Sequence, residues 1–139
     1  LVNYLVLPYK TESDKTRSIF SWITSHITYD WDAYKYGTYG FQAPATTLTK
    51  RKGVCQNFSD LFTGMCTIAD IEAKTISGYA KSNLDYSWMI NGFNGSNHAW
   101  NVVKINGKWE LFDVTWAQNT GSESYYNADP YEFNSSTRD

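Results

Sequence analysis

The chain has 139 residues and a mass of 15.9 kDa, enough for one domain to bury a sizeable core without disulfide staples. A net charge of −2 and a pI near 5.6 supply no basic face for a polyanion, so nucleic acid is not an expected partner. With two cysteines, two histidines and no CxxC pair, no structural zinc site is expected, and no other metal or cofactor is implied.

No repeat or Pro/Gly/Ser linker divides the sequence, so residues 1–139 read as a single domain with its core over about 14–117. A first helix is predicted over 14–27, where Ile19, Trp22, Ile23, His26 and Ile27 recur at helical spacing behind a Thr11 or Ser13 cap. In that stripe His26 reads as a packed or rim residue. Residues 29–45, rich in Tyr, Gly and Asp, have no period and read as an ordered loop, followed by a polar segment that ends at Gly53. A second helix is predicted over 55–70, with Phe58, Leu61, Phe62, Met65, Ile68 and Ala69 on one face.

Beyond it, residues 73–80 alternate like a strand, and Asn91-Gly92 and Asn94-Gly95 mark 82–97 as a loop. Residues 98–105 and 108–116 form the clearest hairpin, two β-rich runs joined by the two-residue turn Asn106-Gly107. The tail over 118–139 is polar, Tyr-rich and unassigned. Helices first and an antiparallel sheet after give an α+β fold in which N-terminal helices, one bearing a cysteine, pack on the sheet.

That cysteine is Cys55, at the head of the second helix. A disulfide to Cys66 is excluded if both lie on one helix, because eleven residues separate them by roughly 16 Å along the axis, against the 7 Å or less between Cα atoms that a bridge needs. Cys66 suits a buried filler on the Met65 and Phe62 side. Cys55 instead sits where unpaired amides and the helix dipole favour a negative charge, the position of a candidate nucleophile.

A nucleophilic cysteine needs a base, and the base an orienting group. The two-residue turn sets Ile105 opposite Lys108, which would place Trp100 opposite Asp113 and His98 opposite Thr115. His98, Trp100, Val102, Trp109, Leu111, Asp113 and Thr115 would then share one face, with His98 and Asp113 as diagonal neighbours about 7–8 Å apart at Cα. An aspartate on a face of Trp and Leu calls for a partner. The plainer alternatives are an Asp113 that caps a turn at the strand end and a His98 that is simply polar.

GVCQNFSDLF, ISGYA and HAWNVVKINGKWELFDVTW, with ITYDWD and TLTKRKGVC upstream, resemble the transglutaminase-like superfamily over residues 19–116. The resemblance implies a papain-like transglutaminase core with Cys55 as nucleophile, His98 as general base and acid, and Asp113 as the group that orients His98. Amide cleavage would then pass through a thioester, with the oxyanion held by the Cys55 N–H and one further donor. Gln42 is a guess for that donor against the plainer reading of a loop glutamine, while Trp100 and Trp116 would wall the cleft.

Members of that superfamily include calcium-dependent crosslinkers, peptide N-glycanases, bacterial cysteine peptidases or deamidases, and inactive scaffolds. This chain has no EF-hand-like acidic loop and no paired CxxC motifs, which leaves a compact, microbial-type cysteine peptidase acting on a polypeptide as the expectation. A protein-glutamine transglutaminase or deamidase, and a non-catalytic peptide- or glycan-binding module, are the alternatives. The loops over 29–41 and 82–97 would form the substrate rim.

No apolar run is long enough for a membrane span. A start at Leu1 rather than Met suggests a fragment or processed product with neighbouring domains elsewhere, and a secreted or cell-envelope setting is favoured. Asn57, Asn94 and Asn134 open N-x-S/T triplets, which matter only in a secreted eukaryotic protein.

Overall fold

The computed structural model describes residues 1–37, 42–78, 98–120 and 126. In chain order the elements are α1 (Val2–Val6), α2 (Glu12–His26), β1 (Thr28–Tyr29), α3 (Trp31–Tyr36), α4 (Pro44–Lys50), β2 (Lys52–Gly53), α5 (Cys55–Ile68), β3 (Ala73–Gly78), β4 (His98–Ile105), β5 (Lys108–Phe112) and α6 (Val114–Thr120). The strands make a two-stranded parallel pair, β1 with β2, and a three-stranded antiparallel sheet in the order β3-β4-β5. The fold is α+β, as the sequence implies.

Thr11 caps α2 by accepting the Asp14 N–H at 3.1 Å, and the helix buries Thr16, Ile19, Phe20 and Ile23. The α5 helix buries a wider face: Phe58, Leu61, Phe62, Met65 and Cys66, with Asn57 and Ser59 nearer its start. Against expectation Ile68, the last residue of the helix, is 64% exposed. Cys66 is buried, as expected of a filler.

The α5 helix lies on the face of β4 that carries Ala99, Asn101, Val103 and Ile105, all buried. Phe20 of α2, Phe62 of α5 and Phe112 of β5 meet in an aromatic cluster with centroids 5.7–6.1 Å apart. The cluster of buried apolar residues includes Val2 of α1 and Ala117 of α6. Among the described residues no helix is long and apolar enough to cross a membrane.

The segment 29–45, expected as an ordered loop, holds regular structure instead among its described residues: Tyr29 of β1, the whole of α3 and the start of α4, with 38–41 outside the described residues. Neither helix has an apolar stripe to announce it, since α3 buries nothing and α4 buries only Thr47. Their ends carry them instead. The Asp30 carboxylate accepts the Ala33 N–H at 3.1 Å and Gly37 closes α3 at a φ of 65°, while Pro44 opens α4.

The hairpin register agrees with the expectation from Ile105↔Lys108 through Asn101↔Phe112, and Asn106 and Gly107 have the positive φ angles, 53° and 82°, of a two-residue turn. The second strand is shorter than expected. It stops at Phe112 and the chain turns into α6, so Thr115 lies on a helix and not opposite His98. The expected strand residues 79–80 and loop 82–97 fall outside the described residues, as does most of the tail.

Tyr126 is described, and its ring packs edge-on against Phe20 at 5.1 Å and Phe112 at 5.0 Å, with the Arg17 guanidinium 4.5 Å from the ring centre. Its hydroxyl donates to the Ser13 carbonyl at 3.3 Å. Tyr126→Ala is expected to cost about 1–3 kcal/mol, less than a fully buried aromatic would. An unchanged thermal midpoint would mean that this ring does not seal the core in solution.

Candidate active site

Cys55 is the first residue of α5 and is half-buried. Its approach is held on two sides. Strand β1 grips the lead-in through Thr28 N–H to the Arg51 carbonyl at 3.0 Å and Asp30 N–H to the Gly53 carbonyl at 2.9 Å. From the other side, Asn57 Oδ1 accepts the Val54 N–H at 2.8 Å.

Val54, the cap residue, has no side-chain oxygen to offer, so the first-turn amides of α5 are left for another acceptor. Gly53 is required by space and not by φ: a Cβ there would stand 2.5 Å from the Cβ of Asn57. Both residues escape a search for chemical groups, although an asparagine three residues into a helix is a recognisable partner for the cap amide. As a buried capping group Asn57 is also a poor glycosylation acceptor.

His98 opens β4 and is 6% exposed; Asp113 follows β5 and is fully buried. The structure brings them together, with His98 Nε2 2.6 Å from Asp113 Oδ2. Asp113 Oδ1 accepts the Trp116 N–H at 3.0 Å and the Asp113 carbonyl accepts the Ala117 N–H at 3.0 Å, so the same residue caps α6. The two readings of Asp113, histidine partner and turn cap, hold simultaneously.

With Nε2 committed to Asp113, Nδ1 is the ring nitrogen left for Cys55. Burial alone would push the His98 pKa below its ordinary 6.5. The charge and hydrogen bond of Asp113, followed by the hydrogen bond and charge of Cys55, outweigh it and carry the value up to about 10.

Trp116 lies nearly parallel to the imidazole at a centroid distance of 4.7 Å, and Trp100 at 5.9 Å. Gln42 is engaged elsewhere: its Nε2 donates to Thr47 Oγ1 at 2.8 Å and to the Lys52 carbonyl at 3.2 Å, tying α4 to β2. Both hydrogens of that amide are in use. On the side of β1, Tyr29 stacks on Phe58, one turn along α5 from Cys55, at 6.3 Å.

The remaining thiol and imidazole are not part of this constellation. Cys66 is fully buried and burial raises its pKa to about 12. His26 is exposed, stacks on Trp22 at 4.5 Å and donates from Nδ1 to the Trp22 carbonyl at 2.8 Å. Among the described residues no three His, Cys, Asp or Glu side chains gather as metal ligands would.

The profile of the Transglutaminase-like superfamily matches residues 1–114, most of the chain. The chain belongs to the transglutaminase-like superfamily. Kyphoscoliosis peptidase of mouse and of human are 32% and 33% identical to it over 118 residues. That alignment takes in 84% of this chain and 17% of each relative, so the chain spans about a sixth of the curated relatives it matches.

A provisionally assigned cysteine protease from Cytophaga hutchinsonii superposes with a TM-score of 0.63 at 26% identity, over 82% of this chain and 35% of that one. A TGase structure superposes at 0.59 and 19% identity, over 82% of this chain and 29% of that one, a likeness of fold. The transglutaminase-like superfamily member described here therefore shares its core with proteins of both names.

Two outcomes follow from the geometry. Gly53→Ala should displace Asn57 and loosen the Cys55 turn, costing about 1–3 kcal/mol; an unchanged thermal midpoint would show that the clash is absorbed freely. Because the His98 pKa is raised on folding, its stabilisation is complete below pH 6.5 and is lost as the pH rises toward about 10. Over that interval the midpoint of the wild type should fall relative to His98→Gln; parallel curves would mean that His98 is not held charged.

Proposed function

We propose that the domain is a thiol hydrolase or acyltransferase, most simply a cysteine peptidase, that cleaves amide bonds of a polypeptide through a thioester on Cys55. The observation that carries this reading is the single buried imidazole tied to Asp113 through Nε2 at 2.6 Å, with the helix-start thiol of Cys55 as its other partner. The similarity to peptidases supports it.

In this reading the Cys55 sulfur attacks the amide carbonyl carbon, assisted by a protonated His98 that stabilises the thiolate. Negative charge on the carbonyl oxygen is met by the Cys55 N–H at the start of α5 and by one further donor. Gln42 could serve only by releasing Thr47 or Lys52. Collapse of the tetrahedral adduct breaks the C–N bond, and His98 gives its proton to the departing amine. Neutral His98 then takes a proton from water, the resulting hydroxide displaces sulfur, and the acid leaves with Cys55 restored.

Asp113 stays charged throughout, fixing the ring orientation and stabilising its cationic form. Trp100 and Trp116 shelter the imidazole as cleft walls. A primary amine in place of water in the second half would give transamidation, and ammonia lost from a glutamine side chain would give deamidation.

The test is mass spectrometry of an unstructured protein substrate incubated with the wild type, Cys55→Ala and His98→Ala, with and without a fluorescent primary amine. Peptide cleavage abolished in both variants, a fall of at least about 10³-fold, is the expected result. Amine incorporation without cleavage would move the assignment to transglutaminase. No covalent change under any condition, with the substrate still retained, would favour the binding module.

A further inference from the structure

We propose that Asn101 is a positioning residue, setting the Cys55-bearing helix in register with the strand that begins at His98; this rests on the catalytic reading above. The inward face of β4 is Ala99, Asn101, Val103 and Ile105, and Asn101 is the polar exception, with no exposed surface. Its amide nitrogen donates to the Ser59 carbonyl at 2.9 Å and to Thr63 Oγ1 at 2.9 Å, both on α5. A carbonyl only accepts, so the nitrogen of the amide must be the atom that faces the helix. The Thr63 hydroxyl also lies 3.0 Å from that of Thr75 on β3, and Thr75 is the cross-strand partner of Asn101.

One layer of directional bonds therefore joins α5, β4 and β3. Each member of the proposed triad lies a short, rigid step from it. Ser59 is one helical turn after Cys55, Asn101 is three strand residues after His98, and the partner of Asn101 on β5 is Phe112, the residue before Asp113. Apolar packing between a helix and a sheet is non-directional and tolerates small slides, whereas a displacement of about 1 Å breaks a hydrogen bond. The chemistry has the same tolerance, since a misplacement of about 1 Å can cost on the order of a hundredfold in rate.

The energetics point to position and not adhesion. A buried amide is costlier than an apolar side chain of similar volume unless every polar atom is matched. Among the described residues Asn101 Oδ1 and Ser59 Oγ are buried without a partner. A leucine in place of Asn101 would hold the layers together at least as well but would not specify the offset of the helix along the strand.

The test uses the whole chain with Asn101→Leu and with Thr63→Val, which nearly keeps the side-chain shape but removes the hydroxyl that meets both Asn101 and Thr75. Thermal midpoints are measured alongside the pH profile of iodoacetamide alkylation at Cys55, read by peptide mapping, with His98→Ala as reference. Asn101→Leu should keep or raise the midpoint while slowing Cys55 alkylation near pH 6 by on the order of tenfold, toward the His98→Ala profile. Thr63→Val should slow it in the same direction by less, and it decides the matter if Asn101→Leu does not fold. A His98-dependent wild-type profile that is unchanged in the folded variants overturns the positioning role alone. A wild-type profile indifferent to His98→Ala removes the thiol–imidazole pair, and the positioning role with it.

Discussion

A carboxylate with no exposed surface has to be paired, and in this chain the pair is Asp113 with His98. Removing a carboxylate from water costs several kcal/mol, a debt met here by a charge-assisted bond on one oxygen and a backbone N–H on the other. That requirement fixes three things at once. It ends β5 at Phe112, because Asp113 must turn in to cap α6. It seats Trp116 over the imidazole, since the capped amide is that of Trp116. It also decides which ring nitrogen faces Cys55.

The other half of the site is built by close approach. Gly53 and Asn57 leave no room between the strand lead-in and the first turn of α5, so the turn bearing Cys55 is defined by steric contact and one buried hydrogen bond. Strand β1 adds two backbone bonds to that lead-in, and Tyr29 on Phe58 extends the support one turn into the helix. The thiol and the imidazole come from segments distant in sequence, and the hydrogen bonds of Asn101 to Ser59 and Thr63 join those segments directly.

Much of this was legible in the sequence because it follows from periodicity and turn chemistry. The apolar stripe of α5 exceeds what any loop would carry, and the Asn106-Gly107 turn sets the hairpin register, from which His98 and Asp113 emerge as neighbours. The extended strand pairing that suggested them ends one residue too soon. They meet because Asp113 doubles as a helix cap, a role that competes with strand extension and that pattern counting does not weigh. Helices α3 and α4 were not legible, since a six- or seven-residue helix without a buried stripe depends on Asp30, Gly37 and Pro44 at its ends. Cys66 is the buried filler expected of it, whereas Ile68, counted on the same face, is exposed as the last residue of α5. Asn101 was unmarked, since its worth lies in contacts with residues far along the chain, and Asn57 was marked only as the head of an N-x-S triplet and not for its hold on the Val54 amide or its fit against Gly53.

The central claim is that Asp113 and Cys55 together hold a buried His98 in its charged form. The most direct measurement is a pH titration of the His98 ring nitrogens by 15N NMR, in the wild type, Asp113→Asn and Cys55→Ala. The account predicts that both wild-type nitrogens stay protonated past pH 8, with a lower midpoint in Cys55→Ala and one at or below 6.5 in Asp113→Asn, where burial acts nearly unopposed. A wild-type ring that titrates near 6.5 and is indifferent to both substitutions would contradict it.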